Sequence, residues 1–152
     1  MKILRKKETN IIIFGTNNNN AQIVIDGPYI TIDSVRIYGL TDYDIIEDNS
    51  IQLPNPFFVG YQTFVDGIFE FTPNYLSWNA KTFPCIKSVQ DEYVTKSKDP
   101  AYSQQERDSF AEYAASLDPI FNITYIEPGF QVPIPPDEDY VWQPDCMIGP
   151  EV

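Results

Sequence analysis

The clearest structural signal in the sequence is Tyr61-Gln-Thr-Phe-Val-Asp-Gly-Ile-Phe-Glu-Phe71. Two short runs rich in aromatic and β-branched residues flank the dipeptide Asp66-Gly67. A type I′ turn needs positive φ angles at both of its central residues, and Asp-Gly is well suited to it. The segment therefore predicts a β-hairpin with one strand on each side of the turn.

Other short apolar runs surround this hairpin along the chain. Strands are predicted at residues 10–14, 21–25, 29–38, 83–89, 93–95 and 121–126. The Asn-rich segment 15–20 suits the tip of a second hairpin, because Asn tolerates left-handed backbone and bonds to its own main chain. In the run 29–38 the apolar parity changes at Asp33-Ser34, which indicates a bulge or a turn there.

One helix is predicted near residues 100–117. Asp99 and Pro100 suit its N-cap and first residue, and Ser103 with Glu106 is an alternative capping box. The apolar residues of this segment recur at i, i+3, i+4 and i+7: Phe110, Tyr113, Ala114 and Leu117. We expect this face to pack over the sheet, and docking of a partner is the alternative.

The predicted fold is therefore mainly β. The strands and turns of residues 8–127 favour a small β-sandwich or barrel-like domain that carries the single helix. A basic N-terminal arm, residues 1–7, precedes the domain. An extended, acidic, Pro-rich C-terminal arm, residues 128–152, follows it, since proline blocks helices and central strands.

The composition excludes several classes of chemistry. The chain has no histidine, so Ser-His-Asp and Cys-His catalysis and His-containing zinc sites are absent. Its net charge of −12 argues against tight nucleic-acid binding, which needs clustered Lys and Arg. No apolar run approaches the length of a membrane helix, so no membrane partner is expected. We expect no enzymatic activity and no cofactor.

The two cysteines, Cys85 and Cys146, do not form a CxxC motif. A disulfide between them and two free thiols are both compatible with the sequence. The N-terminus is basic but is not followed by the apolar stretch of a secretion signal, so synthesis in the cytoplasm is expected. We interpret the sequon Asn122-Ile-Thr124 as chance.

An acidic cluster is the one candidate for a cation site. Its members are Asp42, Asp44, Glu47 and Asp48. Hard cations such as Ca2+ take six to eight oxygen ligands, and these carboxylates can supply several of them. The EF-hand pattern is not matched, because it requires a ligand at Ile46 and a glycine at Glu47. The cluster is therefore interpreted as a solvated acidic loop, with Ca2+ binding as the alternative.

The two arms are the predicted partner-binding sites. The basic candidates are Lys2, Arg5, Lys6 and Lys7, and the apolar anchors are Phe130, Ile134, Tyr140 and Trp142. An extended arm gains affinity by lying along a neighbour's sheet edge and filling its grooves. The acidic arm of one copy can thus bind the basic arm of the next, and such a contact closes a ring if the rotation fits.

In style, the chain resembles small virion proteins of tailed bacteriophages. The resemblance rests on the Asn-rich segment, the Tyr- and Phe-rich short strands and the Pro-rich tail, and no family motif is matched. It implies a structural subunit of a connector, tail, baseplate or capsid decoration. It also implies synthesis in the host cytoplasm, a place in the virion, and copies of itself and other virion proteins as partners.

Two other hypotheses remain open at the level of sequence. A β-sandwich module that binds carbohydrate or a cell-surface receptor would expose Trp and Tyr together on one face. An enzyme that uses carboxylates alone would place two of them facing each other in a cleft. The assembly hypothesis is preferred because it accounts for both arms.

Overall fold

The computed structural model describes residues 1–138 and 149–150 of the chain. The protein forms two compact units, of which one spans Met1–Tyr75 and the other begins at Leu76. Helices account for 32% of the structure and strands for 26%. The prediction of a mainly β sandwich or barrel is therefore wrong, since the described residues form small separate sheets and a long helix.

The described elements follow one another in this order: β1 (Lys2–Lys6), β2 (Ile12–Thr16), β3 (Ile23–Asp26), β4 (Tyr29–Ile32), β5 (Val35–Tyr38), β6 (Tyr43–Glu47), β7 (Gln62–Val65), β8 (Ile68–Phe71), α1 (Pro73–Lys96) and α2 (Gln104–Ser116). Two short 3-10 helices occur at Leu40–Asp42 and Asp118–Asn122. The strands pair as three antiparallel sheets, in the orders β2-β1-β6, β3-β4-β5 and β7-β8.

The predicted hairpin at residues 61–71 is confirmed. Its strands are β7 and β8, and Val65 pairs with Ile68 across the turn. Asp66 and Gly67 have φ angles of 51° and 82°. These are the positive angles that a type I′ turn requires, so the local sequence alone accounts for this hairpin.

Strand β1 is the centre of the first unit, because both of its faces are buried. Ile3 points to one face and Leu4 to the other, as alternation along a strand requires. Ile3 shares its cluster with the buried residues Met1, Ile12 and Phe64, and Leu4 shares its cluster with Ile30 and Ile32. The segment predicted as a basic arm, residues 1–7, thus contributes the central strand of a sheet.

The predicted hairpin over residues 10–25 is wrong. Strand β2 pairs with β1, whereas β3 pairs with β4 in a different sheet. The Asn-rich segment is the connection from one sheet to the other. Its Asn17 side chain accepts a hydrogen bond from Leu53 N, in the segment between β6 and β7, at 2.8 Å. The parity change at Asp33-Ser34 is a turn, as one of the two interpretations predicted. Both residues have positive φ angles, 49° and 69°.

Helix α2 confirms the helix predicted near residues 100–117. It begins after Ser103, whose hydroxyl accepts a hydrogen bond from Glu106 N at 3.1 Å. The Glu106 carboxylate accepts one from Ser103 N at 2.8 Å, which completes the capping box. The predicted apolar face is buried, from Phe110 to Leu117.

Helix α1 replaces the strands predicted at residues 83–89 and 93–95. Its buried positions are spaced by three or four residues: Tyr75, Trp78, Thr82, Ile86, Val89 and Tyr93. This spacing is that of one helix face. The face includes buried polar residues such as Thr82 and Gln90, which interrupt the apolar pattern in the sequence. Pro73 is the first residue of the helix, a position that proline favours.

The strand predicted at residues 121–126 is also wrong. A 3-10 helix occupies Asp118–Asn122, and the next residues are irregular. The Asn79 side chain takes the place of a strand partner there. It donates to Thr124 O at 3.0 Å and accepts from Ile126 N at 2.8 Å. Because these bonds satisfy main-chain groups of the segment, including the buried N–H of Ile126, the segment needs no sheet.

Cys85 lies on α1, is nearly buried and is disulfide-bonded. The other cysteine of the sequence, Cys146, lies outside the described residues. The sequence leaves two alternatives open, free thiols and a disulfide. The described residues contain no free cysteine, which agrees with the disulfide.

The burial of β1 predicts a large effect of one substitution. Leu4→Ala removes a fully buried side chain, and such changes cost about 2–5 kcal/mol of unfolding free energy. Val24→Ala is the control, because Val24 is half exposed and the change should stay within about 0.5 kcal/mol. Chemical denaturation measures both. Equal effects would contradict the central place of β1.

Candidate functional site

The sheet β3-β4-β5 has an apolar surface that the chain leaves open. Its central strand is buried on the inner side through Ile30 and Ile32. Each of the two outer strands, in contrast to the central one, exposes large apolar side chains. The exposed fractions are 51% for Val24 and 57% for Ile25 on β3, and 43% for Val35 and 69% for Tyr38 on β5.

Both outer edges of this sheet are unpaired within the described part of the chain. Natural sheets protect such edges with Lys, Pro, bulges or a covering segment, because free main-chain groups accept another strand. Strand β3 reads Ile-Val-Ile-Asp and β5 reads Val-Arg-Ile-Tyr. Neither contains Lys or Pro, and the one basic side chain, Arg36, lies over the Tyr29 ring, so both edges remain competent to pair with a further strand.

The outward side of the sheet carries an aromatic and charged group. The rings of Tyr29 and Tyr38 meet edge to face, with centroids 5.5 Å apart. The Arg36 guanidinium lies 3.9 Å from the centroid of the Tyr29 ring, and it is 3.7 Å from the Asp26 carboxylate. The acid is on β3 and the base on β5, so the two edges differ in charge.

A polar pocket of about 330 Å³ adjoins this sheet. Its polar lining comes from Asn18, Asn20, Gln22, Thr31, Asp33 and Ser34. Amide and hydroxyl groups predominate, and Asp33 supplies the single charge. The exposed ring of Tyr38 does not line this pocket. The pocket therefore offers hydrogen bonds to a small neutral ligand without an aromatic stacking surface.

The predicted basic residues are engaged within the first unit to different degrees. Lys2 donates to Ala21 O and lies 3.9 Å from the Glu47 carboxylate. Arg5 donates to Phe64 O and to Asp44 Oδ2, the latter at 3.2 Å. Lys6 is half-buried and Lys7 is exposed. The structure thus does not present the four residues as one free basic patch.

The acidic cluster is not brought together as a cation site. Asp44 and Glu47 face Arg5 and Lys2, while Asp42 is exposed. Hydrogen bonds from the Ser50 hydroxyl and main-chain N–H lower the pKa of Asp48 below its ordinary value. Within residues 1–138 and 149–150, no group of three or more acidic or cysteine ligands could hold a metal ion.

The described part of the predicted C-terminal arm packs on the second unit. Phe130 is half-buried and Ile134 is exposed, whereas Val132 between them is buried. Tyr113 on α2 donates its hydroxyl hydrogen bond to Pro133 O at 2.8 Å. The other two predicted anchors, Tyr140 and Trp142, lie outside the described residues.

Asp137 holds this arm to α1. Its carboxylate accepts hydrogen bonds from the Tyr93 hydroxyl at 2.6 Å and the Lys96 ammonium at 2.8 Å. Burial raises the pKa of Asp137, but the bonds from Lys96 and Tyr93 outweigh it and keep that pKa below its ordinary value. The same bond raises the pKa of Lys96.

The two tyrosines of this cluster stay neutral. Burial is the main reason that the pKa of Tyr93 is raised, and the hydrogen bond to Asp137 adds to it. Burial, with the nearby charges of Asp137 and Glu92, raises the pKa of Tyr113 to about 12. Burial and neighbouring groups thus account for the raised pKa values of both tyrosines, and the two side chains anchor the C-terminal segment to the helices.

Comparison of the chain with protein-family models, with curated proteins and with solved structures finds no match. Neither helix of the described part has the length and apolar character needed to span a membrane.

The edge residues of β3 and β5 were missed as candidates in the sequence. A signal was present at residues 23–25, where Ile, Val and Ile follow one another. Because successive side chains of a strand point to opposite faces, such a run must place an apolar residue on each face. In the β3-β4-β5 sheet the inner face packs through Ile30 and Ile32, so Val24 on the other face is exposed.

The Asp137 cluster predicts a pH-dependent contribution to stability. A carboxylate whose pKa is lowered on folding stabilises the fold above its unfolded pKa of about 3.9. That stability is lost as the pH falls through the lower, folded pKa. Asp137→Asn should therefore be less stable than the parent at pH 7, and the difference should be smaller at an acidic pH below that unfolded pKa.

Urea unfolding at both pH values measures this difference. Glu138→Gln is the matched control, because it removes a neighbouring carboxylate for which the described part of the chain shows no charged partner. A difference for Asp137→Asn that persists unchanged in acid would contradict the assigned role of its charge.

Proposed function

We propose that the protein is a structural subunit that assembles with copies of itself through the sheet β3-β4-β5. The observation that carries this proposal is the pair of exposed, apolar edges on that sheet, which are unpaired among the described residues. A strand from a neighbour gains main-chain hydrogen bonds at such an edge, and its side chains cover the apolar ones. The proposal thus keeps assembly as the function, but it moves the contact from the terminal arms to the sheet edges.

Charge favours a second copy as the occupant of each edge. Asp26 is on β3 and Arg36 is on β5, and both side chains are exposed. Within one copy these two groups already pair across β4, at 3.7 Å, and joining β5 of one copy to β3 of the next adds a further acid beside this base. Joining two like edges would bring together two acids or two bases. Such a pair adds little affinity, but it selects the direction of assembly.

Joining unlike edges is a heterologous contact. It generates a ring if the rotation between neighbours closes, and an open filament if it does not. Either product suits a particle built from repeated subunits. Each copy has a net charge of −12, so the long-range field opposes association and salt should favour it.

We propose a viral particle as the setting, and a non-enzymatic role within it. The setting rests on the resemblance to tailed-phage virion proteins through the Tyr- and Phe-rich short strands and the Pro-rich tail. The non-enzymatic role is supported by the lack of histidine and by the structural causes of the shifted tyrosine pKa values. Synthesis in the host cytoplasm belongs to the same proposal.

A binding module for carbohydrate or a cell-surface receptor is the second candidate. The polar pocket beside β3 and β4 favours it, since its amide and hydroxyl lining matches a sugar's hydroxyl groups. Aromatic stacking, which sugar sites commonly use, is not offered by the lining. The binding-module hypothesis would be favoured if substitutions at the sheet edges left association unchanged.

The proposal predicts a specific loss of association. Ile25→Lys places a charge on the exposed β3 edge, and Ile68→Lys makes the same change at an equally exposed residue of β8. Losing the burial of one Ile costs about 1.5–3 kcal/mol, so Ile25→Lys should weaken self-association at least about tenfold. Ile68→Lys should leave it unchanged. Light scattering after gel filtration gives the molar masses.

The salt dependence is measured on the same samples. Association between copies should strengthen with salt, whereas association with a basic partner would weaken. A parent chain that stays monomeric at high concentration and high salt would refute self-assembly. If Ile68→Lys dissociated the assembly and Ile25→Lys did not, the contact would lie on the β7-β8 sheet, and the proposal would be contradicted.

A further inference from the structure

We propose that residues 128–138, which we term the strap, can exchange between two copies of this chain when the disulfide of Cys85 is reduced. In the structure the strap packs on α1 and α2 of its own chain. In the exchanged pair each strap would make the same contacts on the other copy's helices. The strap uses different residues from the sheet edges, so this inference does not rest on the proposed function.

The anchoring contacts of the strap are made by side chains of the helices. Val132 is buried, and Pro133 O accepts the hydrogen bond of Tyr113. Asp137 binds Tyr93 and Lys96, as described above. A second copy carries the identical strap, so it satisfies the same donors with the same geometry.

The strap's own backbone favours exchange. One main-chain hydrogen bond, from Glu138 N to Pro135 O at 3.1 Å, closes a turn within the strap and moves with it. The bond from Phe130 N to Glu127 O, at 3.0 Å, spans Gly129 and is the local bond that breaks when the strap leaves. Four prolines restrict the free strap, so less conformational entropy is lost when it docks again.

A hinge precedes the anchored part of the strap. Gly129 has a φ angle of 95°, and no atom lies within 4 Å of the position that a Cβ would take. Glycine crosses between left-handed and extended backbone without a side-chain penalty. A change at this one residue can direct the strap away from its own helices.

A charge exchange tests the inference in the full chain. Lys96→Asp and Asp137→Lys each place two like charges at the anchor within one chain. Mixing the two variants restores both ion pairs only if straps exchange. The introduced acid of one chain then meets the introduced base of the other, and the unchanged Lys96 meets the unchanged Asp137. Every chain also carries Ile25→Lys, so that association through the sheet edges does not contribute.

Gel filtration with light scattering is run in a thiol reductant, so that no disulfide restricts the strap. The mixture should contain at least about tenfold more dimer than either variant alone, which corresponds to about 1.4 kcal/mol. The double variant, with both changes in one chain, restores the pair internally and should form no more dimer than the chain without these two changes.

A second pair of variants is the matched control. Lys87 and Asp91 form an ion pair 3.1 Å long within α1. Because both residues are on one helix, mixing Lys87→Asp with Asp91→Lys cannot restore the pair by strap exchange. Dimers in this control mixture, or a test mixture that remains monomeric with both variants folded by circular dichroism, would overturn the inference.

Cross-linking of the unmodified chain keeps the inference testable if a variant does not fold. A carbodiimide joins a lysine amine to a contacting carboxylate without a spacer. Isotope-labelled and unlabelled chains are mixed in reductant and cross-linked, and the Lys96–Asp137 peptide pair is analysed by mass spectrometry. Pairs that combine labelled and unlabelled peptides support exchange. Exclusively unmixed pairs would refute it.

Discussion

The double-sided burial of β1 is the constraint on which the first unit depends. Ile3 and Leu4 are consecutive residues, and each is fully buried in a different cluster. Alternation along a strand makes this possible only if packed elements lie on both faces. The cluster around Leu4 consequently positions the β3-β4-β5 sheet by its inner side, through Ile30 and Ile32. Its outer strands extend beyond that buried centre, which leaves them exposed.

Short sequence motifs correctly predicted the elements that interactions between neighbouring residues determine. The turn at Asp66-Gly67 and the capping box of Ser103 with Glu106 both occur as expected. Helix α1 was missed because Thr82 and Gln90 interrupt its apolar face, and because its β-branched and aromatic residues favour strands. Pairing between sheets depends on distant residues, so the Asn-rich segment could not be assigned correctly from its own composition.

The candidate surface was harder to predict than the fold. Charge clustering singled out Lys2 and Arg5, but sequence alone does not show that their strand is central and that internal acceptors bind their side chains. The C-terminal arm was correctly recognised as apolar-rich. Its packing on α1 depends on Lys96, whose contact with Asp137 spans a large sequence separation. Exposed apolar edges emerge only when the neighbours of each strand are known.

Complementation between two edge variants tests the central proposal most directly. Ile25→Lys blocks the β3 edge and leaves β5 intact, whereas Val35→Lys blocks β5 and leaves β3 intact. Each variant alone should be monomeric, because every contact between unlike edges would meet one blocked strand. Mixed in equal amounts, they should form a dimer of one chain of each kind and nothing larger. A mixture that stays monomeric, or single variants that assemble as the parent does, would contradict assembly through these two edges.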